Sequence, residues 1–209
     1  MSSKRGRLDL RVLAGSLRGR ALASPATPWL RPLSGRIKKS LFDILTPRLP
    51  GAAFLDLFSG SGAVGIEALS RGASVAVCVE KESTAIEAIE RNLSKLGLVN
   101  RAKALVGDAT GDPSWIAHRS GVVQFDIVFM GPPYKDREGR PLSLGNLALA
   151  SLAGSTLLAP GGIAVVQHHL RDHLLAPPGL TLAREEKYGD TLLSFFKFED
   201  GKSKTGGAN

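Results

Sequence analysis

The stretch FLDLFSGSGAVGIEALSRG constrains this chain more than any other. An apolar run ends at Leu57, glycines follow at 60, 62 and 65 in the spacing G-x-G-x-x-G, and a helical segment runs on until Gly72 stops it. Glycines there let the backbone turn sharply and approach a ligand closely between a strand and a helix N-terminus. The alternation continues. SVAVCVE, AKALVGD, FDIVFM and IAVVQ read as strands, TAIEAIERNLSKLG as an amphipathic helix with Ile86, Ile89, Leu93 and Leu96 on one face, and LGNLALASLAGSTLL as another helix. Pro160-Gly161-Gly162 reads as the turn into IAVVQ. Strands this uniformly apolar belong to a parallel sheet covered on both faces. LTLAREEK and TLLSFFKF flank Tyr188-Gly189-Asp190 and form an antiparallel hairpin. The fold class is α/β, a Rossmann-like, mostly parallel sheet closed by that hairpin.

Residues 1–50 differ in character. Leu8, Leu10 and Val12 alternate with Asp9 and Arg11, Gly15-Ser16 supplies a turn, and a second short strand carries Arg18 and Arg20. After a Pro-rich link, Ser34 can cap a helix bearing Ile37, Leu41, Ile44 and Leu45. The expected organisation is a basic β-hairpin and helix over 1–50, the α/β unit over 51–199, and a flexible tail over 200–209. Lys and Arg number 27 against 19 Asp and Glu, a formal charge of +8, which suits a polyanionic partner. Arg11, Arg18, Arg20, Arg31, Arg36 and Lys38 concentrate that charge in the opening segment and are the expected phosphate contacts.

Other features exclude whole classes. Cys78 is the only cysteine, so an internal disulfide and a Cys-rich zinc site are ruled out and a reducing compartment is expected. The opening residues lack the apolar core of a secretory signal, and no window has the roughly 18 apolar residues of a membrane span. A cytoplasmic protein is expected. His168, His169, His173 and Asp172 in QHHLRDH invite a metal, but they sit at a strand end, and no metal is expected.

Glu80 follows Gly62 by eighteen residues, at the tip of the second strand, where a carboxylate accepts hydrogen bonds from ribose hydroxyls. Dinucleotides of the NAD type and S-adenosylmethionine both use this layout. Asp56 just before the loop suits a cationic ligand better than a pyrophosphate. Asp108-Ala109 at the third strand's end is placed to recognise an adenine amine, or else to cap a helix, and the fourth strand ends in Gly131-Pro132-Pro133-Tyr134. In that order, D-x-F-x-G-x-G (Asp56, Phe58, Gly60, Gly62), Glu80, Asp108 and x-P-P-Y resemble the class I S-adenosylmethionine-dependent methyltransferases that modify exocyclic amines. An NAD-dependent dehydrogenase is disfavoured by Asp56, by the Pro-Pro-Tyr motif and by the lack of a substrate domain.

RVLAGSLRGRAL, LRPLSGRIKKSLFDIL, LDLFSGSGAVGIEALSRGA and KYGDTLLSFF extend the likeness, which is to the bacterial RsmD family and covers residues 10 to 198. The resemblance implies a seven-stranded methyltransferase sheet, S-adenosylmethionine as methyl donor, and transfer to the N2 amine of a guanine in 16S ribosomal RNA or the assembling small subunit; a monomer is expected. It also implies that Tyr134 stacks on an extruded base. One departure matters. The family reads Asp or Asn where this chain has Gly131, and that side-chain oxygen accepts a hydrogen bond from the target amine. Gly131 leaves only the backbone carbonyls of Gly131 and Pro132, and Gly35 and Lys39 stand where the family tends to carry acids. Impaired activity is expected, and a non-catalytic RNA-binding protein that keeps the fold is the alternative.

Overall fold

Parallel pairing of apolar runs builds the centre of the sheet. In the computed structural model, which describes residues 10–25, 33–134, 138, 140 and 142–199, β1 (Ala53–Leu57) lies between β2 (Val75–Glu80) and β4 (Phe125–Met130). β3 (Ala102–Val106) extends the sheet beside β2, and β5 (Leu158–His169) beside β4, all parallel. β6 (Leu180–Tyr188) and β7 (Thr191–Phe198) form the antiparallel hairpin, with β7 against β5. The order is β3-β2-β1-β4-β5-β7-β6. The order reverses between β1 and β4, and such a switch point opens a crevice at the strands' carboxyl ends.

Helices cover both faces because alternate strand residues are apolar on both. Phe54, Ile127, Phe129, Val165 and Phe195 pack with buried residues of α1 (Gly35–Leu45), α2 (Ala63–Ser70) and α3 (Ser83–Leu96). Leu55, Val77, Val128, Val166 and Phe196 pack with those of α4 (Ser114–Ser120) and α5 (Leu144–Gly154). Ser34 caps α1, its hydroxyl accepting from the Ile37 N–H. Among the described residues, no helix is long and apolar enough to cross a membrane.

The Pro-Gly-Gly segment expected as a turn lies inside β5. The pairing with β4 jumps from Phe125–Leu158 to Ile127–Ile163, so the extra residues are absorbed as an irregularity within the strand.

The opening segment is also less regular than two strands. It is a loop closed by a single antiparallel bridge, Arg11 to Ala21, with its turn at residues 16–19. Side chains of the neighbouring helices supply what a ladder would have. The buried Glu67 carboxylate of α2 accepts the N–H groups of Leu13 and Ala14 at 2.8 and 2.9 Å, and Arg71 Nε at 2.9 Å. Asn92 of α3 accepts the Ala23 N–H at 2.7 Å and donates to the Ala23 and Ser61 carbonyls. Gly15 is required: at φ +83° it lies so close to α2 that a Cβ would stand 1.9 Å from the Ser70 carbonyl oxygen. Val12 and Leu22 are buried in the core beside α1 and α2, so the segment is docked on the sheet's helical layer.

Candidate active site

The crevice at the switch point is built by the ends of β1, β2 and β4. After Leu57 the chain turns through Phe58, which holds a positive φ of 60° and is the one non-glycine among the described residues to do so. Glu80 at the tip of β2 fixes the loop: its Oε2 accepts the Gly60 N–H at 2.9 Å, and its Oε1 the N–H groups of Lys81 and Glu82 at 2.7 and 3.2 Å. Gly62 caps α2 in the left-handed region. Gly65 lets the first turn of α2 press on β2, since a Cβ would lie 2.8 Å from Cys78 Sγ. Gly60, at φ +56°, has nothing within 4 Å of where its Cβ would be, which leaves a bare stretch of backbone facing open space.

Asp56 sits beneath this loop, not on its surface. It is 1% exposed, its Oδ2 accepts the Gly65 N–H at 3.0 Å, and burial, reinforced by the charge of Glu80, pushes its carboxyl up to about 7. Its first task is to hold the start of α2. Asp108 is exposed and spanned by local bonds: Oδ1 accepts the Thr110 N–H and hydroxyl, and Oδ2 faces Lys81 Nζ at 3.2 Å. Those bonds hold its carboxyl below the usual carboxylate range. Ala109 beside it is buried. Glu80 and Asp108 give this end of the sheet an acidic character, and the bare Gly60 backbone lets a ligand approach it. The residues therefore fit a cationic adenosyl ligand, and a pyrophosphate would meet carboxylates.

The fourth-strand motif closes the crevice. Gly131 donates its N–H to the Leu57 carbonyl at 3.2 Å, which sets Gly131-Pro132-Pro133-Tyr134 against the root of the glycine loop. Tyr134 is half-buried, stands edge-on to His169 with ring centroids 5.9 Å apart, and its hydroxyl accepts from Gln167 Nε2 at 2.7 Å. Beyond it, Pro132, Pro133, Tyr134, His168, Asp172 and Leu174 line a shallow cleft. His168 is buried; its Nε2 meets the Ser194 hydroxyl at 2.8 Å, that hydroxyl donates onward to Glu185, and the imidazole Nδ1 lies 3.2 Å from the His169 carbonyl. Burial holds the imidazole below its ordinary value. His169 Nδ1 instead accepts the Arg171 N–H, and among the described residues no group of three or more His, Cys, Asp or Glu is placed to hold a metal ion.

The basic residues divide. Arg18, Arg20 and Arg36 are exposed, and Arg11 donates through Nη1 to the Gly19 carbonyl. Lys38 corrects the sequence expectation. It is 4% exposed, its ammonium lies 3.1 Å from Glu67 and donates to the Arg11 carbonyl at 2.8 Å, and it pins the opening loop to α2 instead of meeting phosphates. Burial lowers its pKa even against the pull of Glu67. Arg31 lies outside the described residues. Lys39 pairs with Asp43 at 2.6 Å on the exposed face of α1. Sequence reasoning missed Glu67 and Gln167. Glu67 is the one charge in the otherwise apolar AVGIEAL, and Gln167 is the first polar residue after IAVV; each was a visible break in an apolar run.

This arrangement has known counterparts. The sequence pattern of the family described as conserved hypothetical protein 95 matches residues 10–197. The chain belongs to that family, the RsmD family. The Ribosomal RNA small subunit methyltransferase D of Escherichia coli K12 is 32% identical over 192 residues, spanning 91% of each chain. The YlbH protein of Bacillus subtilis is 33% identical over 189 residues, covering 90% of this chain and 98% of its own. Among solved structures, the yhhF protein of Escherichia coli superposes with a TM-score of 0.74 at 29% identity, over 91% of this chain and 98% of that one. The Thermus thermophilus protein TTHA0928 does so at 0.71 and 35% identity, over 88% and 97%. The seven-stranded methyltransferase fold of the RsmD family is thus the fold of this chain.

Proposed function

We propose that this protein is an S-adenosylmethionine-dependent methyltransferase that modifies the N2 amine of a guanine in small-subunit ribosomal RNA. The observation that carries the reading is the Gly131–Leu57 hydrogen bond, which holds the Pro-Pro-Tyr motif against the glycine loop at the sheet's switch point. A methyl donor and an extruded base would meet there. Phe58, Gly60, Gly62, Glu80, Asp108 and Ala109 would hold the donor, whose sulfonium supplies an electrophilic methyl group. Asp56 keeps the loop and α2 in register beneath it. Pro132, Pro133 and Tyr134 would hold the base, with Tyr134 stacking on its face and Gln167 fixing the phenol. Arg18, Arg20 and Arg36 lie exposed on the docked opening loop and the start of α1, where they suit phosphate contacts. The match to relatives named for small-subunit ribosomal RNA supports the choice of substrate.

The test is transfer of a tritiated methyl group to unmodified small-subunit RNA and to small ribosomal particles, followed by digestion to nucleosides. The reading expects label in N2-methylguanosine alone. Label in another nucleoside, or none on either substrate, refutes it.

A further inference from the structure

The motif position that carries an acceptor side chain elsewhere in the family is a glycine here, yet the space beside it is not apolar. A Cβ on residue 131 would lie 3.6 Å from Gln167 Oε1, on the neighbouring strand β5. The other end of that amide is committed, because Gln167 Nε2 donates to the Tyr134 hydroxyl at 2.7 Å. Anchoring the nitrogen directs the oxygen toward Gly131, and Oε1 has no hydrogen-bond partner among the described residues. A half-buried carbonyl-type oxygen held without a partner among the described residues, in the mouth of a site, is an acceptor open to a donor.

We propose that Gln167 supplies from β5 the acceptor that Gly131 lacks, taking a hydrogen bond from the exocyclic amine of the target guanine. This rests on the function proposed above. The chemistry balances without a further reagent. The amine nitrogen's lone pair forms the new N–C bond as the C–S bonding electrons return to sulfur, leaving a neutral thioether. One N–H proton then leaves for bulk water. Gln167 orients the lone pair through the N–H it accepts and disperses the positive charge that grows on nitrogen. Tyr134 acts twice, on the base face and as the anchor of the amide.

The pairing also explains why glycine is accommodated at 131. A Cβ there would stand 3.0 Å from the Phe129 ring, so a side chain at this position must displace that ring by a few tenths of an ångström. An acceptor reaching across from β5 leaves the ring in place.

The experiment compares wild type, Gln167→Leu, Gln167→Glu and Gln167→Leu/Gly131→Asn in single-turnover methyl transfer, on whichever of naked RNA or particle the wild type methylates. Gln167→Leu should slow transfer about a hundredfold, with affinity for S-adenosylhomocysteine unchanged. Gln167→Glu, which keeps an acceptor in either orientation, should stay within about threefold of wild type, and adding Gly131→Asn to Gln167→Leu should recover at least about tenfold. A second readout needs no turnover. With S-adenosylhomocysteine present, wild type should bind RNA carrying guanosine at the methylated position several-fold more tightly than RNA carrying inosine there, which lacks the amine, and Gln167→Leu should bind both alike. An active wild type with Gln167→Leu equally fast and equally discriminating overturns the proposal alone. A wild type that transfers no methyl overturns the function on which it rests.

Discussion

Replacing Asp56 by asparagine tests how the glycine loop is supported. The carboxyl is fully buried, and the loss of water raises its pKa from 3.8 to about 7 despite the hydrogen bond from Gly65. Between about pH 4 and 7 the folded chain therefore keeps a proton that the unfolded chain has released, and stability falls as pH rises through that window. Below it both states are protonated; above it both are ionised and the loss is complete. At about 1.4 kcal/mol per pH unit, the interval from 3.8 to about 7 amounts to roughly 4 kcal/mol. The Asp56→Asn side chain keeps an oxygen for the Gly65 N–H and has no charge to desolvate. Urea unfolding of both proteins at about pH 4.5, near the lower end of the window, and at about pH 8, above it, reads the effect. The variant should gain several kcal/mol on wild type between the lower and the higher pH, and titrating groups that do not interact with Asp56 cancel in that difference. A variant-minus-wild-type difference that stays constant with pH would mean that Asp56 is ionised in the fold, and the reasoning from burial would be wrong.

Two further outcomes follow from the docked opening segment. Glu67→Gln leaves Lys38 buried without its counter-charge and should destabilise the fold by about 3 kcal/mol in urea unfolding, with Lys38→Met in the same chain recovering much of the loss. Replacing Arg18, Arg20 and Arg36 together by Ala should flatten the salt dependence of RNA binding, with the slope of log K against log salt shrinking by about three on duplex-like RNA, while binding of S-adenosylhomocysteine is unchanged.

Much of this architecture was legible in the sequence because apolar period and glycine punctuation are local signals. FLDLF, VAVCVE and FDIVFM read as buried strands and supply β1, β2 and β4, and Tyr188-Gly189-Asp190 marks the hairpin. The strand tips followed, since the parallel order places Glu80, Asp108 and Gly131 at one edge. What stayed hidden was long-range. Nothing near Lys38 announces that its partner is Glu67, so the basic run reads as a set of phosphate contacts, although one of its members is buried beneath the opening loop. Asp56 adjoins the loop in sequence and so suggests a ligand contact, whereas the fold points it under α2, where it accepts the Gly65 N–H. Gln167 was passed over because its importance depends on the register of β5 against β4, which no local pattern encodes.

The proposed methyl transfer requires an adenosyl sulfonium donor in the crevice between the glycine loop and Glu80. Calorimetric titration of the protein with S-adenosylmethionine, S-adenosylhomocysteine and NAD, repeated on Glu80→Ala, tests that requirement directly. The account predicts binding of the two adenosyl sulfur compounds and not of NAD. It also predicts that Glu80→Ala weakens their binding by about 1–3 kcal/mol, since the carboxylate fixes the Gly60 backbone and would accept from the ribose in the proposed site. Binding of NAD in their place, or an affinity for S-adenosylhomocysteine untouched by the loss of Glu80, would contradict it.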